Sequence, residues 1–404
     1  MNTTEARKAK KPRRPLKVVL AIVSVPLILA GLIVAATPFS QMARGLATMA
    51  IWGGPSIDHI NYFPNNEIKT TPGATSLPEA LDGSTLAAFN SVDLSPFGLR
   101  DLLINSEEDL GGFFSETGTT AFLVLKDGVV IHKWYAPGVD PNALHTSFSV
   151  SKSFLSALVG IAIGEGKIES LDDPITKYIP ELMDTDPRFG SITLRHLITM
   201  ESGLKYVDDM SPYGDAASTY FSTNLRATAL NAVIAEDPGK SFLYNNYNPL
   251  LLGMVLERAT GQTTADYMSE KLWGPMGAEA DASWSTDSFY NGFEKMESGM
   301  NARPIDFAKF GLLFAQKGMM DGIQVVPQDW VEESTTLNDL TAAKMNYGSF
   351  WWVHPDNQFA AQGNLGQYIF VAPENGLVFV RLGREETLFW PHLLVGLSQQ
   401  LASK

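Results

Sequence analysis

Ser149 and Lys152 stand three residues apart at the front of an apolar run, in "HTSFSVSKSFLSALVGIAIG". On a helix, positions i and i+3 share a face, so the lysine points back over the serine. A serine hydroxyl attacks a carbonyl only when a neighbouring base takes its proton. A lysine held out of water can release its own proton near neutral pH and serve as that base. The positive end of the helix dipole would stabilise an alkoxide or a developing oxyanion at Ser149. The competing reading is a capping serine followed by a snorkelling lysine. An all-apolar helix offers a lysine no solvated face, and a buried charge is costly unless paired or used. That favours the catalytic reading. A second Ser-x-x-Lys, Ser202 to Lys205, holds a glycine and precedes no apolar helix.

Two other stretches carry candidate groups. "LYNNYNPLLLG" contains Tyr244 and Asn246, the one Tyr-x-Asn of the chain. A tyrosine hydroxyl beside a lysine could relay a proton to a leaving group. An asparagine amide could hold a substrate carbonyl or orient the lysine. A core tyrosine and a capping asparagine would look the same. "QGNLGQYIFV", Gln362 to Val371, turns into a strand at Asn364, Gly366 and Gln367. Gly366 would permit close approach of a ligand. The Gln367 N–H, with that of Ser149, could form an oxyanion hole. A plain turn is the competing reading.

Other chemistries are disfavoured. There is no cysteine, so disulfides, thiolate metal sites and cysteine nucleophiles are excluded. The six histidines form no close ligand pair, and no nucleophile elbow, phosphate loop or dinucleotide fingerprint is present. No metal or organic cofactor is implied. Residues 1–17 hold seven of the 30 basic residues and one of the 44 acidic ones. The rest therefore carries 23 basic against 43 acidic residues, a net charge of −20. Such a body repels phosphate backbones, so no nucleic-acid partner is expected.

The elements that must position these groups follow from patterning. Val18 to Ala36 is 19 residues without a charge. It would span about 28 Å as a helix, close to a bilayer core. The basic tip, residues 1–17, should stay cytoplasmic and the remainder be exported. Segment 18–36 reads as a transmembrane anchor, or less readily as a cleaved signal. Residues 37–117 read as a linker and wrapping arm. "TAFLVLKDGVVIHKWY", Thr120 to Tyr135, is two β-branched runs flanking Asp127-Gly128, a hairpin signal. From Ser149 to about Gly164 the apolar residues cover nearly every face, which predicts a helix buried all round. Further helices follow, and strands return near the C-terminus in "GSFWWVHP", "QFAAQGNLGQYIFVAP" and "GLVFVRLG". One mixed sheet drawing on both ends of the domain, with a helical insertion between, is the predicted architecture.

Taken in order, SVSK, YNN and GNLGQ resemble the three motifs of the serine β-lactamase and penicillin-binding-protein superfamily, in its class C-like branch. "SLDDPITKYIPEL" and "ITLRHLITMESGLKY" are similar to stretches of that branch, and "SKSFLSALVG" with "LITMESGLKY" is similar in particular to 6-aminohexanoate-dimer hydrolases. The resemblance covers roughly Thr120 to the C-terminus. It implies an α/β (α+β) fold, a β-lactamase/transpeptidase-like mixed antiparallel sheet flanked by helices with an inserted all-helical subdomain, over residues 118–404. It implies Ser149 as nucleophile, Lys152 as general base, Tyr244 as proton-transfer partner, and Asn246, Asn364, Gly366 and Gln367 around the substrate. The family usually places Lys-Thr-Gly or His-x-Gly where Asn364-Leu365-Gly366 stands here. Without that cation, a small-molecule amide or ester substrate is expected. D-Ala-D-Ala carboxypeptidase or β-lactamase activity is the alternative, and a non-catalytic penicillin-binding-like sensor module is the rival from another class. The expected location is the inner membrane, single-pass, with the domain periplasmic or extracellular.

Overall fold

The computed structural model describes residue 45 and residues 47–95, 104, 106–211, 214–337 and 346–402. The basic tip and the apolar segment 18–36 lie outside the described residues. Among the described residues, no helix is long and apolar enough to cross a membrane.

The strands are β1 (Asn65–Ile68), β2 (Thr119–Lys126), β3 (Val129–Tyr135), β4 (His145–Thr146), β5 (Ala282–Ser285), β6 (Met300–Ala302), β7 (Met319–Met320), β8 (Ile323–Gln324), β9 (Trp352–Val353), β10 (Phe359–Gly363), β11 (Gln367–Ala372) and β12 (Leu377–Gly383). The α-helices used below are α1 (Ser84–Phe89), α2 (Glu107–Glu116), α3 (Ser151–Gly164), α4 (Asp215–Phe221), α5 (Tyr247–Thr260), α6 (Pro304–Ala315), α7 (Gln328–Ser334) and α8 (Trp390–Ala402).

The main sheet has the order β3-β2-β12-β11-β10-β9, with every neighbouring pair antiparallel. It joins strands from both ends of the domain, as the patterning predicts. The single mixed sheet expected from the sequence is instead this antiparallel sheet plus a second one, ordered β1-β5-β6-β4 and also antiparallel. The second sheet arises because short polar stretches such as "ASWS" and "MNA" pair despite weak strand character. The β2–β3 hairpin closes on Asp127 and Gly128, both with positive φ, between the paired Lys126 and Val129. Mirror-image turn geometry of this kind matches the twist of the flanking strands.

Alternation along the strands sends side chains to two cores. Leu123, Leu125, Val371 and Val380 face α3 and α6, whereas Phe122, Val124, Phe370 and Phe379 face α1, α2 and α8. Described parts of residues 37–117 pack on this domain. Strand β1 completes the second sheet, and α1 and α2 cover the outer face of the main one. Helix α3 is buried from Ser151 to Ala162, as its all-round apolar pattern predicts. Phe154 stacks on Phe310 of α6 with ring centres 3.7 Å apart. Gly160 makes room for Trp330 of α7, since a Cβ there would lie 2.2 Å from the indole Cγ. Each such buried apolar side chain contributes about 1.5–3 kcal/mol.

Candidate active site

The chain approaches the candidate nucleophile through β4. There Thr146 pairs with Asn301, and the Ser147 N–H donates to the Met300 carbonyl at 2.9 Å. Phe148 then takes φ +47, a left-handed conformation that costs a bulky residue on the order of 1 kcal/mol or more. A 3₁₀ turn, Phe148–Val150, carries Ser149, and α3 begins at Ser151 rather than at Ser149. Ser149 caps nothing, because no side-chain capping bond exists at either helix start. Ser151 makes the local tie instead: its hydroxyl donates to the Phe148 carbonyl at 2.7 Å and accepts the Met300 N–H at 2.9 Å.

Lys152 is 1 % exposed. Its Nζ donates to Ser149 Oγ at 2.9 Å and to the Glu297 main-chain carbonyl at 2.9 Å. It also lies over the Tyr244 ring, 4.9 Å from the centre. Tyr244 stacks on Trp352 (6.0 Å, 23°) and meets Tyr347 edge-on, while Tyr347 packs on Trp352 at 4.8 Å. Burial, and then the neighbouring Tyr244, push the Tyr347 hydroxyl well above its ordinary pKa, so it stays protonated. The motif pair Ser-x-x-Lys and Tyr-x-Asn is thus brought together at Tyr244. Asn246 points elsewhere: its amide donates to Thr219 Oγ1 of α4 at 3.2 Å, not to Lys152. It begins α5 without a capping bond. The second Ser-x-x-Lys is engaged otherwise, with Ser202 donating to Asn248 at 2.6 Å and Lys205 exposed.

The third motif forms the β10–β11 hairpin, in which Gly363 pairs with Gln367 across Asn364–Gly366. Gly363 is the residue that comes against the nucleophile. A Cβ there would lie 2.2 Å from the Ser147 carbonyl oxygen and 3.2 Å from Ser149 N. Asn364 is exposed at the turn. One reading from the sequence changes here. Gly366 makes room for Arg381 rather than for a ligand, because a Cβ would lie 1.9 Å from Arg381 Nη1. Gln367 is 1 % exposed, and its side chain ties the turn to β12 through the Asn364 carbonyl (3.1 Å) and the Gly383 carbonyl (2.7 Å).

Arg381, from "GLVFVRLG", is fully buried. Its donors go to the carbonyls of Leu365, Gly366, Thr117 and Glu385 and to Thr119 Oγ1, and the guanidinium lies over Trp390. Burial lowers its pKa to about 10. Arg381 and Gln367 together hold all three carbonyls of the Asn364–Gly366 turn. The Glu297 carbonyl, Tyr347, Trp352 and Arg381 all escape a reading of motifs. Gly363 opens the third motif, GNLGQ, but its close approach to Ser147 is not legible there. Among the described residues, no group of histidines and carboxylates could hold a metal ion.

This arrangement is a nucleophile, a buried amine on it and a phenol beside the amine. The fold around it is one seen before. Residues 114–387 match the Beta-lactamase family model, and the chain belongs to that family of serine hydrolases. It is 29 % identical to the 6-aminohexanoate-dimer hydrolase of Paenarthrobacter ureafaciens over 382 residues, 85 % of this chain and 93 % of that protein. Among solved structures it is similar to a Bacillus anthracis protein assigned as a 6-aminohexanoate-dimer hydrolase (TM-score 0.72, 21 % identity, 86 % of this chain and 94 % of that one). It is also similar to a family VIII carboxylesterase (TM-score 0.55, 16 % identity, 73 % of this chain and 96 % of that one).

Proposed function

We propose that this protein hydrolyses a small amide or ester through an acyl-serine, with Ser149 as nucleophile, Lys152 as general base and Tyr244 as proton relay. The observation that carries the reading is the 2.9 Å contact between Lys152 Nζ and Ser149 Oγ, with the lysine buried. As a free amine, Lys152 takes the Ser149 proton while Oγ attacks the carbonyl carbon. The proton then passes through Lys152 and Tyr244 to the leaving group as its bond breaks. Water, deprotonated by the same groups, cleaves the acyl-serine. The Ser149 N–H beside Gly363 would support the oxyanion.

The substrate reading rests on the third motif. Asn364 and Leu365 supply no cation, and the neighbouring wall of Tyr244, Tyr347 and Trp352 is aromatic. A neutral acyl group fits this better than one recognised by its carboxylate. The amide and ester relatives above have names that agree with that choice. The chain would act from the membrane, held by Val18–Ala36 behind its basic tip, with the domain outside the cytoplasm. The test is intact mass after a fluorophosphonate probe, beside Ser149→Ala. One adduct, lost in the variant, is the expected result. A folded protein with no adduct overturns the reading, and an adduct without turnover of any ester or amide would favour the sensor module.

A further inference from the structure

Glu294 to Ser298, "EKMES", carries three charges in five residues. Yet Glu294, Lys295, Met296 and Glu297 are at most 1 % exposed. A buried ion pair stabilises a fold little, because desolvating both charges offsets their attraction. Well-packed apolar residues would serve stability as well. The Lys295–Glu297 pair therefore needs another account.

Its surroundings supply one. Glu297 offers its main-chain carbonyl to Lys152 at 2.9 Å. Its carboxylate Oε1 lies 3.0 Å from Lys295 Nζ and accepts from Ser298 Oγ at 2.8 Å. Lys295 Nζ in turn donates to the Tyr220 carbonyl at 2.6 Å and lies over the rings of Phe63 and Tyr220, at 4.7 and 4.8 Å. The main chain beside the pair is fixed too. Lys295 N donates to the Ser285 carbonyl at 2.8 Å, and the Lys295 carbonyl accepts from Trp284 Nε1 at 2.9 Å. Gly299 has no room for a side chain, since a Cβ would lie 2.7 Å from Trp284 Cδ1.

We propose that the Lys295–Glu297 ion pair, closed over by Phe63 of the N-terminal arm, is a positioning device that fixes the carbonyl orienting Lys152 toward Ser149. The proposal rests on the reading of Lys152 as base. A main-chain carbonyl suits that role, because it accepts one N–H of the amine and leaves the nitrogen lone pair for the Ser149 proton. Neither member of the pair is accessible to substrate, so both act through Lys152. Phe63 precedes residues 114–387, so an arm outside the family match completes the shell behind the base.

The test uses the full chain with Lys295→Met, Glu297→Gln, and the double variant Lys295→Met/Glu297→Leu. The double variant replaces the pair with apolar groups and leaves no unpaired buried charge, so it keeps the test open if a single variant fails to fold. Fluorophosphonate acylation, kcat and KM for a neutral ester, and thermal melting are measured, with Lys152→Met alongside. Acylation and kcat should fall about 10- to 100-fold, the loss that misplacing a reacting group by roughly 1 Å can cause. KM should stay within about twofold, because no substrate contact is removed. Wild-type acylation in the folded double variant, with Lys152→Met inactive, overturns the proposal. So does a fall in kcat matched by a rise in KM and a lower melting temperature, which would mark general loosening. If Lys152→Met acylates normally, the base assignment fails and this proposal with it.

Discussion

Lys152 meets Tyr244 at the face of the ring, 4.9 Å from its centre, while its hydrogen bonds go to Ser149 and the Glu297 carbonyl. The ring and the hydroxyl of Tyr244 can therefore be separated by experiment. Tyr244→Phe keeps the ring beneath Lys152 Nζ and removes only the relay. We expect a folded protein whose kcat on an amide falls about 100-fold or more. The loss on an aryl ester should be much smaller, because that leaving group departs without a proton. Matched amide and aryl-ester kinetics check this. Equal losses on both would confine Tyr244 to holding the lysine.

Gly363 tests the third wall of the site. A methyl group there cannot fit against the Ser147 carbonyl without moving the Phe148–Val150 turn. Gly363→Ala should cut fluorophosphonate acylation roughly 100-fold, since small displacements of a nucleophile are expensive. Stopped-flow acylation with a thermal melt in parallel is the measurement. An acylation rate like that of the wild type would mean that the hairpin yields and the serine does not.

What could be read from the sequence has a common character. Lys152 stood out because a lysine inside an apolar helix contradicts its own pattern, and the buried α3 follows from that same pattern. Asp127-Gly128 announced a hairpin because few residues adopt positive φ without strain. The groups that stayed hidden act through the backbone or through clearance. Any residue type could supply the Glu297 carbonyl. The need for glycine at 363 arises from an approach by Ser147, more than two hundred residues earlier. Nothing in the strand pattern of "GLVFVRLG" names the acceptors of Arg381, all but one of them carbonyls. Tyr-x-Asn spacing located Asn246 but could not say which way its amide turns.

Arg381 should matter for stability and for the turn together. Arg381→Met would strand the carbonyls of Leu365, Gly366 and Thr117 in the interior. Each unpaired buried acceptor costs about 1–3 kcal/mol, so a loss of roughly 3 kcal/mol or more in unfolding free energy is expected. Arg381→Lys retains the charge but cannot span the same acceptors, and should recover less than half of it. Urea unfolding decides this, and a variant within about 0.5 kcal/mol of wild type would show that water replaces the guanidinium.

Acid should weaken the fold through His132. This residue packs beside the stacked rings of Phe114 and Phe122, 6 % exposed, with Nε2 unpartnered among the described residues. Burial lowers its pKa to about 4, with Asp82 pulling weakly the other way. In the unfolded chain a histidine titrates near pH 6.5. Below that pH the unfolded chain takes up a proton that the folded protein refuses. The stability is therefore full above about pH 6.5 and declines as pH falls toward about 4, by about 1.4 kcal/mol per unit for this one group. Burial pushes His145 and His354 to about 4 as well, so they add to the decline. His132→Leu occupies similar space without titrating. Urea midpoints at pH 7.5, 5.5 and 4.5 should fall less steeply in the variant than in the wild type. Parallel declines would mean that His132 gains its proton inside the folded protein, and that water reaches its Nε2.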